Sequence, residues 1–555
     1  MVLTGESLKN AFISGANNIQ NHKKDVDALN VFPVPDGDTG TNMSMTIGAA
    51  VRELQVLGEA DVATVSKKAA SALLRGARGN SGVILSLIFR GLSKGLKGLE
   101  TADGVQFAAA LDLGREAAYK AVMKPTEGTI LTVVREASAA AIASKETDYK
   151  KVLEIIVAAA QDALLKTPEM LPVLKEAGVV DAGGQGFLYI LEGMKSYLLD
   201  GVMIENQDEA ANGAKGDAAK ETPQVQYGYR CAFTVHKTKD AKSGTPKFKA
   251  YLESVGGEVS VTESGDTVKV QICTDAPGNV LQSALDCGYL TDIQIENIRE
   301  AKTAQPSAAK DTNAEKPLES DEAAQTDAPL TRAEPEKEYG FVAVAAGDGV
   351  TQLFKELGAD IVVSGGQTMN PSTDDILHAV EATPARHVFV LPNNKNIIMA
   401  AEQTVNLADR GVSVLSTKTV PQGITAMLSF DPSASPEENH LQMMKGAESV
   451  HTAQVTFAAR DSEMSGERIK KGQILGMEDG KITLVDNDLV DVAYRVTRRL
   501  VKKHNGSIIT ILYGEETEEA IADALCARLQ GRFPNAEINV INGGQPVYYF
   551  IVSVE

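Results

Sequence analysis

The sequence predicts a multidomain fold, with an all-α block first, a small α+β block in the middle and an α/β block last. Three observations carry this. The length of 555 residues exceeds what one hydrophobic core usually organises. Two composition-biased stretches read as linkers, and the hydrophobic period changes from block to block.

The linkers, 204–224 and 301–338, combine Ala, Lys, Glu, Asp, Ser and Pro with few large apolar residues, a composition that does not build a core. They leave blocks at 1–203, 225–300 and 339–555. In the first, apolar residues such as Val152, Ile155, Ile156, Ala159 and Ala163 recur at three- and four-residue spacing, the signature of an amphipathic helix. The second has strand-like runs at Tyr229 to Val235, Val259 to Thr262 and Val268 to Thr274, with a helical stretch at Asn279 to Asp286. The third alternates the buried-strand runs Phe341 to Ala346, Ile361 to Val363, Val388 to Leu391 and Val412 to Leu415 with helical segments such as Val350 to Leu357. That alternation predicts a doubly wound α/β region. Ile361 to Gln367 is echoed by Ile538 to Gln545. Either two related strand ends face each other, or Gly-Gly simply marks two turns.

A formal net charge of -20 and a pI near 5.0 argue against nucleic-acid partners and anionic membrane surfaces, since no local basic patch offsets them. The four cysteines, Cys231, Cys273, Cys287 and Cys526, include no Cys-x-x-Cys pair, against a disulfide framework or zinc knuckle. No leader-like N-terminus and no apolar run near the ~20 residues of a membrane span are present, so a cytoplasmic protein without membrane insertion is expected.

The segment Asn30 to Met43, NVFPVPDGDTGTNM, is interrupted by two prolines and two glycines and must be a shaped loop leading into a helix. Asp36 and Asp38 can point to one side of it, with Gly37 leaving room for a ligand. Two converging carboxylates suit Mg²⁺ bound together with substrate phosphates. Thr39, Gly40, Thr41 and Asn42 add backbone N–H groups and hydroxyls at a helix start, where the dipole favours anions. Alternatively, Asp38 or Thr39 merely caps the next helix. Three more glycine-rich segments precede helical stretches: Gly76 to Gly82 with Asn80 and Ser81, Glu127 to Thr129 with Gly128, and Asp181 to Gly186 with Ala182 and Gly183. Several such helix starts could form one rim around a polyanion; helix packing explains one or two of them, but the set less well.

These motifs resemble the ATP-binding L-type domain of dihydroxyacetone kinases and, more closely, the nucleotide-binding subunit of bacterial fatty acid kinase. Further matches along the whole chain are Ser364 to Ser372 and Leu391 to Asn396. The resemblance implies a barrel of helices using ATP and Mg²⁺. Asp36 and Asp38 would bind paired metal ions, with Asn30 the candidate third ligand. Thr39 to Asn42, Asn80, Ser81 and Gly82 would meet phosphates, and Gly128, Asp181, Ala182 and Gly183 the nucleoside. Asp36, Asp38 and Thr41 form the candidate catalytic set. Where the dihydroxyacetone kinase pattern has an upstream Asp and a His after the loop's second Asp, this chain has Asn30 and Thr39.

The resemblance further implies phosphorylation of a fatty acid on a separate lipid-carrier protein, giving acyl phosphate for phospholipid synthesis. It makes the third block carrier-like in fold, with Ser364 to Ser372 and Pro392 to Asn396 as a docking surface, and the middle block a dimerisation module of a homodimer. The family's middle block commonly carries a cysteine and a His-x-His pair as an apparent zinc site. Here Cys231 is kept but Gln271-Ile272-Cys273 replaces the histidines, so no required zinc is expected. Two other readings are a dihydroxyacetone-type small-molecule kinase and a nucleotide-binding regulatory scaffold. His22 is the only histidine before the first linker. The lack of an apparent base beside the loop agrees with a carboxylate acceptor, which is already ionised at neutral pH.

Overall fold

The computed structural model describes the chain except residues 31–36, 123, 208–228, 238–247, 249–251, 253–256, 265–266, 275–276, 286, 298–329, 367–368, 459–461 and 465–466. The first block is helical: α1 (Gly5–Leu29), α2 (Thr39–Gln55), α3 (Val62–Arg75), α4 (Gly79–Gly95), α5 (Gly104–Ala121), α6 (Ile130–Ser144), α7 (Tyr149–Met170), α8 (Pro172–Ala177) and α9 (Ala182–Asp200). From α1 to α7 each helix packs on the next, and α9 joins α7 back to α1, which closes a ring. Phe12, Ile19, Met43, Phe89, Val133, Ile156 and Phe187 fill its interior. Side-chain caps start several of these helices, including the Asp103–Gln106 capping box of α5, which supplies acceptors to amides without intrahelical partners.

Glycines let the α1 backbone lie close to both neighbours. A Cβ on Gly193 of α9 would fall 2.6 Å from Ser14 O, and one on Gly40 of α2 would fall 2.1 Å from Lys23 O. Neither obstacle is a movable side chain. Gly40→Ala is therefore expected to cost about 1–3 kcal/mol through overpacking, seen as a lowered thermal midpoint; an unchanged midpoint would refute the close approach.

The middle block forms a compact unit of its own, within Ala214–Thr326. Strands β1 (Tyr229–Lys237), β2 (Gly257–Ser264), β3 (Thr267–Thr274) and β4 (Gly288–Asn297) make an antiparallel sheet in the order β2-β3-β1-β4, with α10 (Pro277–Leu285) packed on it. Cys231 is buried among Phe233, Val235, Ile272 and Val280, and β1 places it opposite Ile272. His236 hydrogen-bonds Thr291 and stacks on Tyr289. The side chain of Cys273 lies outside the described residues.

The last block opens with β5 (Lys337–Ala345), α11 (Asp348–Glu356), β6 (Ile361–Ser364), α12 (Thr373–Ala382), β7 (Ala385–Leu391), α13 (Lys395–Thr404) and β8 (Gly411–Val414). Its strands form the predicted parallel sheet, in the order β6-β5-β7-β8. The doubly wound pattern does not continue to the end. After α14 (Val420–Leu428) and α15 (Pro436–Glu448) come β9 (His451–Phe457), β10 (Ser462–Met464), β11 (Glu467–Ile469), β12 (Ile474–Glu478), β13 (Lys481–Asp486), α16 (Leu489–His504), β14 (Ile508–Tyr513), α17 (Glu519–Arg532), β15 (Glu537–Asn542) and β16 (Phe550–Val554). Six of these strands form a second sheet, β13-β12-β9-β16-β14-β15, antiparallel except for β14 with β15. A buried strand reads as an apolar run whichever way its neighbour points, so sequence alone missed the change. The two echoed segments do meet: Gly365, Gly366 and Gln545 line one small space with Asn393 and Asn394.

The helical and α/β blocks form one compact unit, Met1–Gly213 with Asp327–Glu555. Ala77, Val83 and Leu87 share a buried apolar cluster with Ile376, Val380, Ile397 and Ala400. The α/β block is thus seated on α4 by hydrophobic burial.

Candidate active site

The start of α4 and the helices α2, α6 and α9 present their first turns to one cavity of about 270 Å³. Thr39 and Asn42 come from α2, Asn80 and Ser81 from α4, Thr129 and Ile130 from α6, and Asp181, Ala182 and Gly183 from α9. Sequence patterns placed these residues in loops before the helices, but Thr39 to Asn42, Gly79 to Gly82 and Ala182 to Gly186 are themselves first helical turns. First-turn amides lack a partner four residues back, so Gly, Thr and Asn cost little there and read as loop.

The four helix starts differ in capping. Thr129 accepts a hydrogen bond from the Leu131 amide, and Asp181 accepts one from the Gly184 amide at 2.7 Å. Asp38 and Arg78, the N-caps of α2 and α4, make no side-chain capping bond. Two of the four helix starts at the cavity therefore lack side-chain caps, which suits an anion. The lining also carries Val122, Leu131 and Leu174 beside the capped starts, which suits a flat, largely apolar ring system.

Asp38 lines the cavity, and its carboxylate accepts a hydrogen bond at 2.7 Å from the amide of Asn370, a residue of the α/β block. Arg78 donates to Asn370 O at 2.7 Å and pairs with Asp375 at 3.2 Å, while the Thr373 amide donates to Ala77 O at 3.0 Å. Asp375 in turn closes the capping box of α12 with Ser372. Asn396 and Met399 of α13 also line the cavity. Because Asn370 gives its N–H to a carboxylate, its Oδ1 is fixed facing away. That oxygen and Asn80 Oδ1 are buried without a hydrogen-bond partner among the described residues. Each such acceptor costs about 1–3 kcal/mol if left so. Of the two, Asn80 lines the cavity with Asp38 and Asn30, and amide oxygens with a carboxylate are the hard donor set Mg²⁺ prefers, so the residues present fit that ion.

Asn30 is buried at the end of α1 and lines the cavity. Asp36 lies outside the described residues. Thr41 is not among the lining residues: its hydroxyl donates to Asp27 Oδ2 at 2.7 Å and its amide to Asp27 Oδ1 at 3.0 Å. Asp27 therefore fixes α2 from α1, a positioning role that sequence reasoning missed because nothing local links residues so far apart. Gly40 and Gly82 are packing glycines; a Cβ on Gly82 would meet Thr46 Oγ1 at 2.3 Å. Gly128 takes φ +81° and donates to Thr132 Oγ1 at 2.8 Å, which shapes the turn that puts Thr126 and Thr129 on the cavity wall. The segments expected to dock a carrier are partly consumed here, since Asn370, Ser372 and Asn393 are buried while Met369 is exposed.

Burial pushes the Asp181 carboxyl up to about 6, against hydrogen bonds from the Gly184 and Ile130 amides that lower it. Between the ordinary value of 3.8 and about 6 the folded chain holds more protons than the unfolded chain, so stability falls as pH rises through that window. Asp181→Asn keeps an N-cap oxygen and is expected to flatten this part of the stability profile, by about 1–3 kcal/mol across it. Thermal melts from pH 4 to 7 check this; an unchanged slope would contradict the assigned burial.

The fold and the site define a multidomain protein with a closed ring of helices that presents several helix N-termini to one cavity, on which an α/β domain is packed. Residues 33–196 match the family model described as the DAK2 domain, residues 226–305 the FakA-like middle domain of fatty acid kinase, and residues 340–555 the FakA-like C-terminal domain of fatty acid kinase. The chain belongs to the FakA-like fatty acid kinase family. It is 39% identical over 569 residues to Protein YloV of Bacillus subtilis, covering 100% of this chain and 99% of that one. Among solved structures, it is similar to the dihydroxyacetone kinase from C. freundii in complex with AMP-PNP and Mg²⁺, at 20% identity and a TM-score of 0.28 over 34% of this chain and 33% of that one. It is also similar to a fatty-acid-binding DegV family protein from Thermus thermophilus, at 15% identity and a TM-score of 0.31 over 39% of this chain and 99% of that one.

Proposed function

We propose that the chain transfers the γ-phosphoryl group of Mg-ATP to the carboxylate of a fatty acid held by a separate lipid-binding protein, giving acyl phosphate and ADP. The observation that carries this reading is the meeting of uncapped helix starts, Asp38 and the orphaned oxygen of Asn80 at one cavity, in a chain of the FakA-like fatty acid kinase family.

In this reading the phosphates lie along Thr39, Gly40, Asn42, Asn80, Ser81 and Gly82, where first-turn amides neutralise their charge. The nucleoside lies against Thr129, Ile130, Asp181, Ala182, Gly183 and Leu174, with Gly128 shaping the turn beside it. Asp38, with Asn30, Asn80 and Asp36 as further candidates, would hold Mg²⁺, which supplies charge neutralisation and alignment of the β- and γ-phosphates. The fatty acid carboxylate forms the new P–O bond as the bond to ADP breaks, and no proton moves. That agrees with the lining residues, none of which is a histidine. His22 instead bonds Asn18 O and stacks on Tyr189. Among the described residues no helix is long and apolar enough to cross a membrane. The middle unit serves as the dimerisation module, checked by comparing the full chain's mass in solution with that of a chain lacking residues 214–326.

The decisive assay incubates the chain with ATP, Mg²⁺ and a lipid-binding protein loaded with fatty acid, and traps acyl phosphate with hydroxylamine. Acyl hydroxamate dependent on all components is expected. ATP turnover on a soluble hydroxylated substrate without any carrier would sink the reading.

A further inference from the structure

Far along the chain from the cavity just described, three potential ligands meet at the rim of the six-stranded sheet. His451 begins β9, Asp479 sits between β12 and β13, and His504 ends α16. One ligand atom from each lies within 4.8 Å of the other two. We propose that His451, Asp479 and His504 form a site for a divalent transition-metal ion of the zinc type, held by two imidazoles and one carboxylate. This site is independent of the kinase reading.

The local fold presents each group for that task. Asp479 takes φ 48° and Gly480 φ 81°, the two left-handed positions of a tight Asp-Gly hairpin turn between paired Glu478 and Lys481. The turn is tied down by the Asp479 amide donating to Thr452 O at 2.9 Å and the Thr452 amide donating to Asp479 Oδ1 at 3.1 Å. That fixes one carboxylate oxygen and leaves Oδ2 facing His451 Nδ1 at 3.5 Å. The α16 helix stops at His504 because Asn505 adopts the left-handed cap conformation, φ 54°, which holds the imidazole against the sheet.

Two features are hard to explain as ordinary packing. The His451 and His504 rings overlap with centroids 3.3 Å apart and planes 19° from parallel, an arrangement two imidazolium ions would not tolerate. His504 Nε2 is buried with no hydrogen-bond partner among the described residues, where such a nitrogen ordinarily finds one.

Zinc takes imidazole nitrogen and carboxylate oxygen at about 2.0–2.2 Å, with tetrahedral ligands then roughly 3.4 Å apart. Ligand atoms no more than 4.8 Å apart need to close by about 1.4 Å at most to hold an ion, within reach of the half-exposed Asp479. Two imidazoles select a borderline ion over Mg²⁺ or Ca²⁺. Three protein ligands leave a fourth position toward solvent, on the side where Asp479 is 47% exposed. Bound there, the ion would pin β9, the β12–β13 turn and the end of α16 together.

The test strips the full chain with a chelator, then titrates Zn²⁺ and separately Co²⁺ into wild type, Asp479→Asn and the His451→Gln/His504→Gln double variant. Wild type is expected to take one equivalent more than the double variant, with Asp479→Asn binding it at least ~10-fold more weakly. The Co²⁺ form should show four-coordinate absorption without a thiolate charge-transfer band, which separates this site from Cys231 or Cys526. The extra equivalent should raise the wild-type melting temperature and leave that of the double variant unmoved. Equal stoichiometry and affinity in wild type, Asp479→Asn and the double variant would overturn the proposal. If the double variant fails to fold, the Asp479→Asn affinity and the wild-type Co²⁺ spectrum decide alone.

Discussion

Asp38→Asn is expected to lower phosphoryl transfer by at least ~10²-fold, because in the proposed site it deletes the charge that would hold Mg²⁺, where several kcal/mol of charge neutralisation would be supplied. The substitution is isosteric, and the amide oxygen it introduces can still accept the bond that Asn370 gives Asp38. Folding should therefore be spared: the melting curve should stay close to wild type while Mg²⁺-dependent turnover collapses. A variant that melts normally and turns over normally would show that Asp38 is only a turn residue at the start of α2, the plainer reading its position also allows.

The second large effect is expected from Asn370, which lies 332 residues from Asp38 in sequence yet bonds its carboxylate at 2.7 Å. A group that orients a metal-binding carboxylate typically matters by about 10–100-fold in metal affinity or activity. Asn370→Ala should raise the Mg²⁺ concentration needed for half-maximal turnover by about that factor, while saturating Mg²⁺ restores much of the rate. Asn370→Asp should be worse, since it sets a second carboxylate against Asp38. A merely structural Asn370 would lower stability and leave the Mg²⁺ dependence untouched. Comparing Mg²⁺ titrations with thermal melts separates the two. Arg78 supports the same loop through Asn370 O and Asp375, so Arg78→Ala should shift the Mg²⁺ dependence in the same direction.

The fold of the first block was legible because its helices carry long 3.6-residue periods, and the four glycine-rich segments were legible because first-turn positions tolerate residues that helix interiors reject. That convergence around one cavity was the sequence expectation the geometry bears on most directly, through Thr39, Asn42, Asn80, Ser81 and Asp181 to Gly183. Thr41 was placed among the candidate groups by its position in the motif, yet its hydroxyl serves Asp27. Nothing in sequence spacing reveals such a pair, since each residue is an ordinary helix-terminal residue in its own segment. Asn370 and Asn396 were legible only as polar loop residues after strands. Their assignment to a docking surface missed that the hydrophobic seat formed by Val83, Leu87, Ile376 and Ile397 turns that face toward the chain's own helical domain. The second sheet escaped because its strands lack any mark of their direction.

Titration calorimetry of ATP into the full chain, with and without Mg²⁺ and repeated on Asp38→Asn, tests the central claim most directly. The account predicts binding that is strengthened by Mg²⁺ in wild type and loses that Mg²⁺ dependence in the variant. ATP binding indifferent to both Mg²⁺ and the Asp38 charge would contradict a metal-nucleotide site at the start of α2.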